Sequence, residues 1–238
     1  MNNGAIAFLD ILGFKGLWKK IKPKVIIDLI KEAINEVKDS YKEPSLEQGW
    51  VNLKGPYISV LSDTVVIAFE YKNQTCLIPL ANVVYSVMYN FFKNDIFMRG
   101  AISFGPYYHE SGIFLGEAVD DVAIWYEKFD WIGVCTTPKT SYLIEMISSL
   151  KIPNQQPEFD AYIRYDIPTK EKGITYNLHC LNLFEYLRSG YSRFELEKSK
   201  LEAIKFISHL FSKQGAINPD VARKYENTLR FAKFSLKI

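Results

Sequence analysis

The chain has 238 residues, 48% of them hydrophobic and 15% aromatic, enough to bury one good-sized core with an appended subdomain. Its 29 Lys plus Arg nearly balance 27 Asp plus Glu, and a net charge of +2 excludes a protein that coats nucleic acid through bulk charge. Cys76, Cys135 and Cys180 are odd in number and form no CxxC pair, so neither a disulfide framework nor a zinc site is indicated; with no basic leader and no apolar run near about 18 residues, a cytoplasmic protein without a membrane span is expected.

The first element, "AIAFLDILGF" over residues 5–14, is an apolar run interrupted by Asp10. Such a run reads as a strand at about 5–10 buried on both faces, and a carboxylate at its end needs an ion pair, hydrogen bonds or a metal. A helix follows from Pro23 to Tyr41, where Val25, Ile26, Leu29, Ile30, Ala33, Ile34 and Val37 fall at helical spacing. "YISVLSDTVVIAFE" reads as a hairpin with Ser62-Asp63 at its tip, followed by a mostly apolar helix at about 76–93. Next come "FMRGAISFGPYY", a strand carrying Arg99, a strand at "GIFLG", the helix "EAVDDVAIWYEKF" and a strand at "WIGVCTT". The helix "KTSYLIEMISSL", a loop over Pro153 to Glu158 and a late strand "TYNLHCLNL" complete the domain.

From Phe194 the chain is helical again, with one stripe through Leu201, Ile204, Ile207, Leu210 and Phe211 and a second through Val221, Tyr225, Leu229 and Ala232. The order predicts an α+β fold: an antiparallel-rich sheet with helices packed on one face, plus C-terminal helices. Residues 1–190 are expected to form the main domain. Residues 191–238 are expected to be a helical extension packed on it or on a dimer partner.

Taken singly, Asp10 reads as a cap or surface acid, Asp63 as a turn residue and Arg99 as a salt-bridge partner. In this order, an acid ending a buried first strand, an acid at a hairpin tip, "MRGAISFG" and "LGEAVDDVA" resemble the class III nucleotidyl cyclase catalytic domain, whose fold is ferredoxin-like. Asp10-Ile11 matches that family's Asp-Ile pair, "GFKGL" the segment after it, Ser62-Asp63 its Gly-Asp tip, and Arg99 its strand arginine. The resemblance implies that Asp10, Asp63 and the Ile11 carbonyl hold two Mg2+ or Mn2+ ions per active site, so that the partner of Asp10 is metal. It implies that Arg99 clamps phosphate. It further implies a head-to-tail homodimer, in which one subunit supplies the acids and the other the helix beginning at Gly116, with Asp120, Tyr126 and Glu127 on its face.

The purine-reading pair of that family is missing: Ser59 stands at the lysine position and Ile113 at the acid position. The helix asparagine is Asp120, and the arginine that follows it is Ile124. "FLDILGFK", "LSDTVV", "MRGAIS" and Tyr126-Glu127 are most similar to the Pycsar pyrimidine cyclases of bacterial anti-phage defence. The resemblance implies UTP or CTP as substrate, cyclic UMP or cyclic CMP as product, and a downstream effector that responds to the cyclic nucleotide. Substrate contacts are expected from Phe14, Tyr57, Ser59, Arg99, Asp120, Tyr126 and Lys170, with Lys170 or Lys172 as the cation for the pyrophosphate. Tyr57, Trp125 and Tyr126 are expected to narrow the base pocket. No nucleic-acid or membrane partner is expected.

Overall fold

The opening apolar run forms β1 (Asn2–Ile11), whose Ala5, Ile6, Ala7 and Leu9 are fully buried. The reason is its place in the sheet: β3 (Thr64–Glu70) pairs antiparallel along one side of it and β4 (Met98–Glu110) along the other. In this computed structural model residues 2–13, 21–40, 53–147, 151–152, 159–188, 199–214 and 217–238 are described. Phe14, the "GFKGL" segment beyond Gly13, Tyr41, the Pro153–Glu158 loop and residues 194–198 lie outside them.

The remaining strands are β2 (Lys54–Leu61), β5 (Ile113–Leu115), β6 (Val134–Thr136), β7 (Lys151–Ile152), β8 (Phe159–Asp160), β9 (Tyr162–Pro168) and β10 (Thr175–Leu181). Among the described residues one eight-stranded sheet runs in the order β2-β3-β1-β4-β6-β10-β9, with β5 paired to β4, and β7 pairs β8 separately. The β4–β6 pair is parallel, while every other strand pair in the main sheet is antiparallel. Helices packed on this sheet make the fold mixed α+β, as the element order predicts. The sequence reading has no strand over 162–168. There Tyr162, Arg164 and Asp166 alternate with Ile163, Tyr165 and Ile167, a period-two pattern that places β9 at the sheet edge beside β10.

The helices are α1 (Pro23–Ser40), α2 (Leu77–Lys93), α3 (Glu117–Trp125), α4 (Pro138–Glu145), α5 (Leu183–Arg188), α6 (Lys200–Ser212) and α7 (Pro219–Ser235). Residues 74–93 are, by length and composition only, long and apolar enough to cross a membrane. In the fold this stretch is the core helix α2 with a short 3-10 turn before it, and α2 lies against β1, β3 and β4. The Tyr85 hydroxyl donates to the Ala161 carbonyl at 2.6 Å, and Tyr162 donates to the Leu77 carbonyl at 2.8 Å, so α2 is also tied to the β9 edge. The helix expected to run to Phe129 ends at Trp125, and residues 126–133 form an irregular segment leading to β6.

The C-terminal helices pack on the same chain. Ser199 and Glu202 form a capping box that starts α6. The Phe211 ring of α6 stacks on Tyr225 of α7 at 4.1 Å, with Phe97 edge-on to both. Phe231 of α7 packs edge-on against Trp131 and Phe184.

β1 and β4 approach unusually closely at Gly100, where an added Cβ would sit 2.3 Å from the Phe8 carbonyl oxygen. Backbone on the far side cannot yield without opening the central ladder. Gly100→Ala is therefore expected to lower stability by about 1–3 kcal/mol in thermal unfolding, whereas an unchanged melting temperature would show that the two strands can separate freely there.

Candidate active site

Asp10, the penultimate residue of β1, lies directly opposite Thr64 of β3 and Arg99 of β4, and directly opposed residues share a face of the sheet. Asp10 is 7% exposed and Arg99 6%. Arg99 Nε donates to Asp10 Oδ2 at 2.9 Å, and Nη2 lies 2.8 Å from the same oxygen. The pairing leaves Oδ1 outside it. The remaining arm, Nη1, donates to the Phe129 carbonyl at 3.1 Å.

The protein itself supplies an ionic partner for Asp10, and Arg99 spends one donor each from Nε, Nη2 and Nη1 on Asp10 and Phe129, three of the five N–H donors of a guanidinium. Two opposite charges buried beside one another stabilise each other where either alone would be severely destabilising.

Asp63 occupies the two-residue turn between β2 and β3, with Ser62 in the left-handed region at φ 58°. The Ile11 amide donates to the Asp63 carbonyl at 2.8 Å, which stitches the hairpin tip to the end of β1. Burial pushes the Asp10 carboxyl above the usual range; Arg99 opposes this, while the negative charges of Asp63 and Glu127 reinforce it.

Glu127 arrives there from the same chain. Tyr126, just past α3, sets its ring edge-on to Phe8 at 5.6 Å, and its hydroxyl contacts Thr64 and Glu127. Burial, then Glu127, raises the Tyr126 phenol. The sequence reading gives Tyr126 and Glu127 to a partner subunit; the structure places them beside the acids of their own subunit. Lys170 is also brought in: its Nζ lies 4.0 Å from Glu127 Oε2. Burial lowers the Lys170 amine, helped by Arg99 and opposed by Glu127 and Asp10.

The other predicted contacts lie elsewhere. Asp120 is exposed in the first turn of α3, while its neighbour Asp121 accepts from Ser103 Oγ at 2.8 Å and Thr137 Oγ1 at 2.6 Å. Ser59 shares the Asp10 face, on a row with Val66 and Phe8. A Cβ on Gly112 would lie 4.0 Å from Ser59 Oγ, so the β4–β5 tip that carries Ile113 is its neighbour. Ile113 and Ile124 are exposed. Lys172 is exposed in the turn before β10. Tyr57, Trp125 and Tyr126 do not gather around one pocket: Tyr57 lies against His109 at 4.4 Å, Trp125 edge-on to Tyr176 at 5.1 Å, and Tyr126 by Phe8.

Among the described residues no three or more His, Cys, Asp or Glu side chains close on one point as a complete metal cage. Mg2+ and Mn2+ favour oxygen donors and are commonly held by one or two carboxylates together with substrate phosphates. Asp10 Oδ1, Asp63 and the Ile11 carbonyl are donors of the right hardness for such an ion.

No family model matches the chain, and no curated protein matches it. Among solved structures it is similar to the catalytic core of a rhodopsin-guanylyl cyclase with converted specificity in complex with ATPαS, at 10% identity over 76% of this chain and 94% of that one, with a TM-score of 0.48. It is similar to the guanylyl cyclase Cya2 at 11% identity over 76% and 93% of the two chains, with a TM-score of 0.44. A third similar structure is an adenylate/guanylate cyclase/hydrolase from Silicibacter pomeroyi, at 14% identity over 75% and 95%, with a TM-score of 0.43.

Proposed function

We propose that this chain is a metal-dependent nucleotide cyclase that converts UTP or CTP into 3',5'-cyclic UMP or cyclic CMP and pyrophosphate. The observation that supports the reading is the backbone bond that joins the two segments bearing Asp10 and Asp63. The Ile11–Asp63 backbone bond holds the hairpin tip against the strand end that bears Asp10, with Arg99 steadying Asp10 from the neighbouring strand.

The reaction forms a bond between the ribose 3'-oxygen and the α-phosphorus. It breaks the bond from that phosphorus to the bridging oxygen, which leaves with pyrophosphate, and the hydroxyl proton passes to solvent. Two Mg2+ or Mn2+ ions, held by Asp10, Asp63 and the Ile11 carbonyl, would lower the pKa of the 3'-hydroxyl and offset the triphosphate charge. Arg99 keeps the Asp10 carboxylate oriented with Oδ1 free. Lys170 is the nearby cation for the departing pyrophosphate. Asp120, at the exposed start of α3, is assigned to the site of a partner subunit in a head-to-tail homodimer, whereas Tyr126 and Glu127 serve their own subunit.

The choice of a pyrimidine is supported by Ser59 and the tip bearing Ile113, which lie next to one another and together lack the lysine and acid that read a purine. In this reading the product is a second messenger of anti-phage defence, made in the cytoplasm, that switches on a cyclic-nucleotide-responsive effector. Competition among equal concentrations of ATP, GTP, CTP and UTP with Mn2+ tests the base assignment. Cyclic pyrimidine product is expected to exceed cyclic purine product by at least about 100-fold, because a site lacking hydrogen-bond partners for one base discriminates strongly against it. Purine product equal to or above pyrimidine product would refute the pyrimidine assignment and leave the two-acid site standing.

A further inference from the structure

The irregular segment 126–133 has no ladder of its own, yet it carries Tyr126, Glu127 and the carbonyl that receives Arg99. Immediately after that carbonyl comes Asp130, a fully buried carboxylate outside the acid cluster. The C-terminal helix meets it: Arg223 Nε bonds Oδ2, and Lys224 Nζ stands 3.2 Å from Oδ1. The same helix grips the backbone on either side. Asn227 Nδ2 donates to the Asp130 carbonyl at 2.8 Å, and the Ile132 amide donates to Thr228 Oγ1 at 2.8 Å. From the sheet side, the Asp130 amide donates to the Pro168 carbonyl at 2.9 Å and the Gly100 amide to the Gly133 carbonyl at 3.0 Å.

We infer that α7 is a positioning element for the Asp10–Arg99 pair, acting through Asp130 and the segment it anchors. The physical path is continuous: α7 fixes Asp130, Asp130 fixes the adjoining Phe129 carbonyl, and that carbonyl fixes one arm of Arg99, whose other two nitrogens hold Asp10. An irregular segment opens locally at low free energy unless its neighbours pin it; on the sheet side the Lys170 amide also donates to the Lys128 carbonyl at 3.0 Å, and α7 adds four side chains from the other side. Arg223, Lys224, Asn227 and Thr228 touch no substrate in this account and are positioning residues. The consequence for turnover rests on the proposed cyclase function; the consequence for the Arg99 side chain does not.

The test uses the full chain and reads the Arg99 Nε–H signal by NMR, assigned through its loss in Arg99→Lys. Exchange of this proton with water is expected to quicken by about tenfold or more in Arg223→Met and in Asn227→Ala, with Arg223→Lys within about threefold of wild type and Arg230→Met, on the same helix but away from Asp130, unchanged. Asn227→Ala removes only one amide and carries the test if Arg223→Met fails to fold. Alongside, kcat is expected to fall about tenfold with KM for the nucleotide within about threefold, since a slightly misplaced group slows the reaction without uniformly weakening binding. Exchange within twofold of wild type in the folded variants would overturn the inference, and quickened exchange with undiminished kcat would overturn its catalytic part. A wild-type chain that makes no cyclic product would remove the proposed function, while the exchange rates would still decide the role of α7.

Discussion

Asp63→Ala is expected to remove cyclic-nucleotide formation by at least about 1,000-fold at saturating Mn2+ while leaving the fold intact. The carboxylate is half-buried at a hairpin tip and the structural bond there is made by its backbone, so deleting the side chain disturbs little besides the charge that would hold metal. Loss of a metal-holding group removes several kcal/mol of transition-state stabilisation, and each 1.36 kcal/mol is about tenfold in rate. Asp10→Ala should be as inactive but differs in stability. It strands the Arg99 guanidinium in a buried site, a change that costs about 3–5 kcal/mol. Asp10→Asn keeps an acceptor for Arg99 and separates the two effects, so it should fold more stably than Asp10→Ala and remain inactive. Activity of Asp63→Ala within tenfold of wild type would dismiss these acids as the metal site.

Mixing inactive chains tells which residues share a subunit. Asp10→Asn combined with Asp120→Ala should recover activity, because one of the two sites in each mixed dimer has both halves intact. Random pairing would give about one quarter of wild-type turnover. Asp10→Asn combined with Tyr126→Ala should recover none, since Tyr126 stands beside Asp10 in its own chain, its ring on Phe8 and its hydroxyl on Thr64 and Glu127. Recovery in the second mixture, with mixed dimers shown to form, would move Tyr126 back to the partner's site.

The strands around Asp10 were legible because their patterns are strong. A long apolar run, a hairpin without glycine at its tip and a strand with one arginine gave β1, the β2–β3 pair and β4 at nearly their observed bounds. The period-two alternation over 162–168 was also legible in principle, and β9 shows that it deserved the weight given to the longer apolar runs. Less visible was the pairing of Asp10 with Arg99, 89 residues apart, because only strand order decides which charges meet. One signal existed: the apolar stretches of the two strands carry charges of opposite sign, Asp10 and Arg99, at a matching end. The anchoring of Asp130 by α7 was hidden for a different reason. Arg223 and Lys224 are unremarkable in a helix that alternates apolar and charged residues, and Asp130 gains significance only from its complete burial. The placement of Tyr126 and Glu127 depended on where α3 stops. Because the helix ends at Trp125, the chain turns back at once toward Asp10 in its own subunit.

The proposed function rests on metal-dependent cyclisation of a nucleoside triphosphate at Asp10 and Asp63. The most direct test incubates the purified chain with all four triphosphates and Mn2+, with and without EDTA, and follows the products by mass spectrometry. A 3',5'-cyclic monophosphate and an equal amount of pyrophosphate are expected, formed only with metal and absent in Asp63→Ala. Formation of the same product in EDTA, or no cyclic nucleotide from any of the four triphosphates, would contradict it.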